Sequence, residues 1–398
     1  MIESVGDKCS GCSACASICP KGCISMQPNS EGFLYPAINQ NVCVKCGLCE
    51  KTCPVLHPPV FDEKDVPVAY AVQNKDEKIR LDSASGGAFS AIAYYVLDHG
   101  GVVFGALFNE KLEVVHGFVE TKEELYKLRR SKYVQSRIGQ SFKQVKSFLD
   151  SGRWVCFSGT PCQIGGLKSF LHKDYANLVL VDIICHSVPS PKMWEIYKTT
   201  QEKKFGSKIS EVRFREKTYG FSNPTLTLLF ENGKKYAKGV IDPYHAAFTQ
   251  GMVRKSCAEC SFKTWKRVSD FTLYDCWSIG RFNKEWDDNK GTSGILAHST
   301  KATKILEEVQ IDLNQISIDF NKSMLLDGVK ATQKSKLNLN RTAFFEDLDY
   351  LDMYALQKKY YPISIRSRFF SIIKPFFFKI GILQFFNAVK RKYELSKK

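Results

Sequence analysis

Two runs of cysteine with the same spacing stand near the start of the chain. Each run has the pattern C-x-x-C-x-x-C-x-x-x-C-P: the first comprises Cys9, Cys12, Cys15 and Cys19 before Pro20, and the second comprises Cys43, Cys46, Cys49 and Cys53 before Pro54. Three thiolates at this spacing wrap one corner of an iron–sulfur cubane, and the fourth cysteine of each run ligates the other run's cluster. The spacing therefore predicts two 4Fe–4S clusters.

The runs also predict which thiolates share a cluster. The first cluster takes Cys9, Cys12, Cys15 and Cys53, and the second takes Cys43, Cys46, Cys49 and Cys19. Zinc is the competing metal, because C-x-x-C pairs also build zinc ribbons, but two complete runs that each end in Cys-Pro fit zinc poorly. We expect a bacterial-type two-cluster ferredoxin domain over residues 1–60, with Cys23 as a packed side chain.

Four further cysteines are spread through the middle of the chain. Cys162 and Cys185 follow two apolar segments, 154–158 and 178–184, and Cys257 and Cys260 form a C-x-x-C pair. Ligands of α/β sheets usually lie just past the ends of such strands. Together these residues supply the four thiolates that a third 4Fe–4S cluster needs. The alternative is that Cys162 and Cys185 are buried structural thiols.

The elements that must position these cysteines alternate between strand and helix from about residue 66. Hydrophobic patterning predicts strands at 68–72, 101–108, 154–158, 178–184, 212–215 and 225–230, and helices at 83–97, 122–130 and 140–149. Small residues from Ser83 to Ala88 open the first of these helices, where backbone amides can face a phosphate. A simple tight turn is the alternative at this position.

The chain resembles the coenzyme F420 hydrogenase/dehydrogenase beta-subunit family over residues 1 to about 345. The shared motifs are Ser85-Gly86-Gly87, residues 131–136, residues 157–163, residues 182–186, the Cys257–Cys260 pair, and Ser269-Asp270 with Asp275. Two positions depart from the family pattern: Ser187 stands where the family tends to have glycine after Cys-His, and Cys276 stands where it tends to have an aromatic residue before the tryptophan. The resemblance implies that the chain binds FAD. It places Ser85, Gly86 and Gly87 at the FAD phosphates and Lys132, Tyr133 and Ser136 along the flavin.

The same resemblance implies an iron–sulfur flavoprotein oxidoreductase that passes electrons between its clusters and FAD to reduce or oxidise a small-molecule substrate. Coenzyme F420 and a substrate of surface polysaccharide synthesis are the two substrate classes it suggests. Candidate proton donors are His186, Lys132 and Tyr133, although His186 also fits a packed, hydrogen-bonded residue. The alternative is an electron-transfer subunit whose chemistry occurs on a partner. A redox partner protein or ferredoxin is the expected electron donor or acceptor.

The expected fold class is α+β. The ferredoxin domain over 1–60 precedes a larger mixed α/β flavin-binding domain over 61–345, and a basic amphipathic helical tail occupies 346–398. Nine basic residues and one acidic residue lie between 365 and 398, interleaved with phenylalanine and isoleucine. This pattern favours an anionic membrane surface or a partner groove, with packing on the core as the alternative. We expect no nucleic-acid partner, since no recognised nucleic-acid module accompanies the basic residues.

Composition sets the remaining limits. The 398 residues include 44% hydrophobic and 25% charged residues with a formal net charge of +16, which excludes a globally disordered chain. Nine of the 15 cysteines lie between Cys9 and Cys53, a density that suits metal ligation in a reducing compartment. Residues 1–8 lack the apolar segment of a secretory signal. We therefore expect a cytoplasmic protein that contacts the inner face of the membrane through its tail.

Overall fold

The computed structural model describes residues 2–59 and 66–382. The chain separates into two compact units. The first unit contains the residues up to Glu195 together with Val253–Leu337, and the second contains Ile196–Met252 together with the residues from Asn338 onward. The domain boundaries expected at residues 60 and 345 stay a prediction.

The regular elements of the described residues are numbered in chain order. The strands are β1 (Ile24–Pro28), β2 (Leu34–Ile38), β3 (Val68–Asn74), β4 (Val102–Phe108), β5 (Val114–Val119), β6 (Val155–Ser158), β7 (Leu178–Ile183), β8 (Ile209–Glu216), β9 (Thr225–Phe230), β10 (Lys235–Lys238), β11 (Phe271–Asp275), β12 (Ser293–Ala297) and β13 (Leu313–Ser317). The α-helices are α1 (Ala14–Ile18), α2 (Leu48–Lys51), α3 (Glu77–Asp82), α4 (Ala88–Asp98), α5 (Ser141–Asp150), α6 (Pro161–Leu171), α7 (Pro191–Phe205), α8 (Pro243–Thr249), α9 (Thr300–Glu308), α10 (Phe320–Leu326), α11 (Arg341–Asp347), α12 (Met353–Tyr360) and α13 (Ile365–Lys379).

The two cysteine runs adopt the same local conformation around an antiparallel β1–β2 hairpin. The residue before the second cysteine of each run is left-handed, with φ of 73° at Gly11 and 52° at Lys45. The residue after that cysteine is also left-handed, with φ of 66° at Ser13 and 75° at Gly47, and each of these residues caps a short helix, α1 or α2. Such alternation curls the backbone around a common centre. The sequence repeat is therefore also a structural repeat.

An eight-stranded mixed sheet forms the centre of the first unit, with strand order β13-β3-β12-β11-β7-β6-β4-β5. Strands β4, β6, β7 and β11 pair in parallel, and the outer strands pair antiparallel. Helices cover both faces: α4 and α9 bury apolar side chains on one face, and α5 and α6 bury them on the other. The expected succession of a ferredoxin-like region and a mixed α/β region is confirmed.

One predicted helix is wrong. Residues 122–130 form only a short 3₁₀ helix over Glu123–Lys127. Leu125 and Leu128 are buried, but Arg130 adopts a φ of 68°, which ends helical geometry. The charged residues after the 3₁₀ helix lie in a loop, where Arg130 pairs with Asp82 of α3 and Arg129 donates to Ser90 of α4.

The second unit contains the antiparallel sheet β10-β9-β8 and helix α13 near the end of the described chain. No residue of α13 is buried. Phe378 and Lys374 contact Tyr219 of the same unit. The part of the expected amphipathic tail from residue 383 onward lies outside the described residues. None of the helices described within 2–59 and 66–382 is both long and apolar enough to cross a membrane.

Candidate metal and cofactor site

The four thiols expected to hold the first cluster are close neighbours. Burial raises the pKa of Cys9, raises that of Cys12 well above its usual range, and raises that of Cys15 to about 12. The thiols of Cys9 and Cys53 both add to the shift at Cys15, which places them within electrostatic reach of one another. Cys12, Cys15 and Cys53 are buried in the apolar interior. As free thiols, Cys9, Cys12 and Cys15 stay protonated, and as ligands they need the compensation that bound iron supplies.

The four thiols expected to hold the second cluster line one surface pocket. Cys19, Cys43, Cys46 and Cys49 all face it, and the Cys46 side chain is exposed. Cys23 faces the same pocket, with its Sγ 3.3 Å from Sγ of Cys19. Sequence patterns did not connect Cys23 with this group, since it falls outside the repeated spacing.

The residues of both runs fit thiolate-held clusters on two observations. All 15 cysteines are free, and the backbone N–H of Gly11 donates to Sγ of Cys9 at 3.4 Å, the kind of contact that stabilises a ligating sulfur. Within the described residues, no group of three or more His, Cys, Asp or Glu side chains is arranged to hold a single metal ion.

The four scattered cysteines are brought together as well. Cys162 lies in the first turn of α6, Cys185 follows β7, and Cys257 and Cys260 lie in and after a 3₁₀ helix, Lys255–Ala258. Burial raises the pKa of Cys162 to about 12 and that of Cys257 to about 11, and raises that of Cys185 further. Each of these shifts is increased by at least one other thiol of the set. The strand ends and the C-x-x-C pair thus converge, and their role as ligands stays a prediction.

Helix α6 lies between this group and the first run. A Cβ atom placed on Gly166 would stand 2.9 Å from both Cβ and Sγ of Cys12. At the start of the same helix, Oγ1 of Thr160 lies 3.2 Å from Sγ of Cys162. The Cys162 thiol also contributes to the pKa shift of Cys12. The first run and the scattered group are therefore joined across one helix.

The loop expected at the FAD phosphates packs tightly on strand β12. Oγ of Ser85 donates to the Thr292 carbonyl at 2.8 Å, and the N–H of Gly86 donates to Oγ of Ser293 at 2.8 Å. A Cβ on Gly86 would lie 2.4 Å from the Ser293 nitrogen, so close packing alone requires glycine there. Gly87, with φ of 87°, begins α4, and no side chain caps that helix. Packing of this turn on β12 explains why Ser85 and Gly86 occupy these positions. The uncapped N-terminus of α4 presents backbone N–H groups, which is the arrangement of an anion-binding site.

The Lys132 loop lies against this same helix. Nε of Arg129 donates to Oγ of Ser90 in α4 at 3.0 Å, and Nε of Arg130 donates to the Asp82 carbonyl at 2.9 Å. Nζ of Lys132 donates to the Arg129 carbonyl at 2.6 Å. Burial lowers the pKa of Lys132 to about 7, and the Arg130 charge contributes to that lowering. The structure thus brings the two segments expected to hold FAD next to each other.

Ser136 belongs to a buried network that the sequence did not indicate. Nε2 of His116 lies 3.1 Å from the Ser158 carbonyl, so Nδ1 accepts from Oγ of Ser136 at 2.9 Å. Nε2 of Gln163 donates to the same Ser136 oxygen at 2.8 Å, and Oε1 of Gln163 accepts from the N–H of Thr160 at 2.9 Å. Burial lowers the pKa of His116 to about 4. The network ties Ser136 to the first turn of α6, where Cys162 lies.

The remaining candidate proton donors occupy different surroundings. His186 is exposed beside Cys185, and its backbone carbonyl accepts from Oγ of Ser335. Tyr133 is partly buried in the Lys132 loop. Their catalytic roles stay predictions.

Arg254 is a second feature that sequence patterns missed. Its side chain is completely buried, and its guanidinium donates to the backbone carbonyls of Cys9 at 2.8 Å and Leu34 at 3.0 Å. It also donates to Oε1 of Gln135 at 3.1 Å. Only its place three residues before Cys257 could have drawn attention to it.

Family models match three parts of this chain. The model described as coenzyme F420 hydrogenase/dehydrogenase, beta subunit N-term matches residues 69–143, and the corresponding C-terminus model matches residues 152–318. A 4Fe-4S dicluster domain model matches residues 8–56, which contain both cysteine runs.

Individual proteins are similar over shorter stretches. One subunit of the F(420)H(2) dehydrogenase of Methanosarcina mazei is 23% identical over 185 residues, covering 44% of this chain and 52% of that protein. The coenzyme F420-dependent sulfite reductase of Methanocaldococcus jannaschii is 25% identical over 171 residues, covering 42% of this chain and 26% of that protein. Ferredoxin-1 of Caulobacter vibrioides is 37% identical over 69 residues, covering 16% of this chain and 57% of that protein. The matches span about half of the first relative and about a quarter of the second.

Among solved structures, a chain of the F420-reducing [NiFe] hydrogenase complex from Methanosarcina barkeri is 16% identical, with a TM-score of 0.43 over 78% of this chain and 98% of that chain. The two matching beta-subunit models together cover more than half of the present chain. The chain therefore belongs to the coenzyme F420 hydrogenase/dehydrogenase beta-subunit family, and it carries a 4Fe–4S dicluster domain at its start.

Proposed function

We propose that this chain is an iron–sulfur flavoprotein oxidoreductase with two ferredoxin-type 4Fe–4S clusters, a third 4Fe–4S cluster and FAD. The observation that carries the proposal is the convergence of Cys162, Cys185, Cys257 and Cys260 beside the first cysteine run. When bound, the clusters supply single electrons and FAD exchanges one or two. The protein would then reduce or oxidise a small molecule with electrons shared with a redox partner protein or ferredoxin.

The chain's own residues support the positions of these groups. The scattered thiols are held by the end of β7, the first turn of α6 and the 3₁₀ helix at Lys255–Ala258, which belong to one compact unit. For FAD, the uncapped start of α4 provides backbone N–H groups for phosphate. Lys132 lies beside that helix, and Ser136 is held by His116 and Gln163. We propose these residues, with Ser85, Gly86, Gly87 and Tyr133, as the flavin-binding set.

Lys132 is the strongest candidate proton donor. Its pKa near 7 leaves both protonation states populated at neutral pH, the condition under which a general acid or base works best. The carbonyls that accept from Nζ hold the ammonium in one position. Tyr133, in the same loop, and His186, beside the scattered thiols, are the other candidates. The substrate is proposed from the family alone: coenzyme F420, or a small molecule of surface polysaccharide synthesis.

Anaerobic purification of the full chain, with iron, sulfide and flavin counted, tests the proposal. Three 4Fe–4S clusters require about twelve iron atoms per chain. The Cys185→Ser variant should lose about four of them, whereas the matched Cys276→Ser variant, which alters a buried thiol outside the set, should lose none. A wild-type chain with about eight iron atoms and no flavin would contradict the proposal.

An electron-transfer subunit without a substrate site is the second candidate. The exposed Cys46 and its pocket support electron exchange with a partner under either candidate. Turnover of a small molecule by the purified chain, with ferredoxin or dithionite as sole donor, separates the two. Turnover supports the enzyme, and a flavin-free chain that only relays electrons supports the second candidate.

We also propose that α13 brings a cytoplasmic protein to the inner face of the membrane. Phe369, Ile372 and Phe376 are exposed on this helix, between Arg366, Arg368, Lys374 and Lys379. Flotation of the full chain with anionic liposomes should exceed that of a chain truncated after Tyr361. Equal flotation would contradict membrane docking.

A further inference from the structure

Arg254 is a buried cation whose hydrogen-bond partners are neutral. Its guanidinium donates to two backbone carbonyls and one amide oxygen, and it stacks on the Tyr35 ring, with Cζ 4.1 Å from the ring centroid. No ion pair within residues 2–59 and 66–382 includes Arg254. Burial of a charge without a counter-ion is costly. A negative group within reach of the guanidinium would offset this cost.

Cysteines of two different sets lie beside Arg254. Arg254 donates from Nε to the backbone carbonyl of Cys9, which belongs to the first run, at 2.8 Å. It also lies three residues before Cys257, which belongs to the scattered group. The backbone adds a direct link, because the N–H of Cys257 donates to the Arg254 carbonyl at 3.1 Å. One guanidinium thus faces both sets from the interior of the same unit.

We propose that Arg254 is the shared counter-ion of the first and third 4Fe–4S clusters and raises the reduction potential of both. The inference rests on the proposed function for the third cluster only. A thiolate-held cluster is anionic and becomes more so on reduction, so a fixed cation nearby stabilises the reduced form. Because Arg254 is desolvated, water screens this interaction weakly.

Anaerobic redox titration of the loaded full chain, followed by EPR, tests the inference. Arg254→Gln should lower the potentials of the first and third clusters, so that the ratio of reduced to oxidised cluster at a fixed potential falls about tenfold, equivalent to about 59 mV for one electron. The second cluster serves as an internal control and should not shift. Arg254→Lys keeps the charge and should stay near wild type. Lys255→Gln, which removes a surface charge paired with Asp7, should change neither potential.

A second variant covers the case in which Arg254→Gln does not fold. Gln135→Glu leaves Arg254 in place and introduces a carboxylate next to it. The new carboxylate replaces the amide oxygen, Oε1 of Gln135, that accepts from the guanidinium at 3.1 Å. Because the added charge neutralises the guanidinium, both potentials should again fall. Circular dichroism and iron content establish that each variant is intact.

The results separate this inference from the proposed function. If the wild-type chain binds only about eight iron atoms, the proposal of a third cluster is wrong. The reduction potential of the first cluster then still tests whether Arg254 acts as its counter-ion. An unchanged first-cluster potential in iron-loaded Arg254→Gln, or in Gln135→Glu, would overturn the inference. So would a shift in Arg254→Lys as large as that in Arg254→Gln, since charge would then not be the cause.

Discussion

The two cysteine runs share a spacing and a backbone conformation but have different surroundings. The first run packs against α6, Gln135 and Arg254, and two of its four cysteines, Cys12 and Cys15, are buried. The second run lines a surface pocket with Cys46 exposed, and Val44 and Leu48 also reach solvent. The same local conformation therefore occurs once in an enclosed setting and once in an exposed one. We call the second run, which lines the surface pocket, the open run. We call the first run, which packs against the remainder of its compact unit, the enclosed run.

The largest effect is expected from adding a methyl group beside the enclosed run. A Cβ on Gly11 would lie 2.3 Å from Nε2 of Gln135, whereas a Cβ on Gly47 meets nothing within 4 Å. Both glycines are left-handed, so both alanine variants carry backbone strain of about 1–2 kcal/mol. Gly11→Ala should lose roughly 2–5 kcal/mol of unfolding free energy, because overpacking adds to that strain. Anaerobic denaturant titration measures this, and equal losses in Gly11→Ala and Gly47→Ala would contradict the contrast.

A smaller effect on stability is expected from lowering the pH, through the buried hydrogen-bond network of His116, Ser136 and Gln163. The folded-state pKa of His116 is lowered to about 4 from 6.5 by burial, so its contribution to stability is complete above pH 6.5 and is lost as the pH falls toward 4. Between pH 7.5 and pH 5 this amounts to about 2 kcal/mol. Denaturant titrations of wild type and His116→Asn at both pH values isolate the contribution. The variant should show a smaller loss, and a loss equal to that of wild type would argue against a neutral buried imidazole.

Removal of iron should distinguish the two runs kinetically. A chelator reaches the pocket of the second run directly, but it reaches the first run only after local opening. We expect one rapid phase of iron release and slower phases separated from it by about tenfold or more. The rapid phase should be absent in Cys46→Ser. A single phase in the wild-type chain would mean that the enclosed run is no better protected than the open one.

The smallest effect is expected at the open counterpart of Gly11. Lys45 holds a φ of 52° at the equivalent position of the second run. Lys45→Gly removes that strain and should stabilise the chain by about 0.5–1 kcal/mol. Lys51→Gly, in α2, should have the opposite sign because glycine disfavours helix. Destabilisation by Lys45→Gly would show that the lysine side chain contributes a contact of its own.

Much of the site could be predicted from local sequence. The cysteine spacing indicates clusters because consecutive thiolates are positioned by a short loop, and the matching dicluster domain over 8–56 agrees with it. Patterning also located strands such as β6 and β7 to within a residue, since each is a short apolar run. It failed at 122–130, where Arg130 leaves helical geometry to pair with Asp82. Charge and periodicity alone carry no information about that distant partner.

The sequence by itself therefore determined the chemistry available: two repeated thiolate sets, four scattered thiols and a small-residue turn. Tertiary structure decided which of these groups meet. It placed Gly166 of α6 against Cys12, enclosed one run and left the other open, and buried Arg254 between Cys9 and Cys257. The physical reason is separation along the chain. Residues about 245 positions apart share a low-dielectric interior only because the fold brings them there.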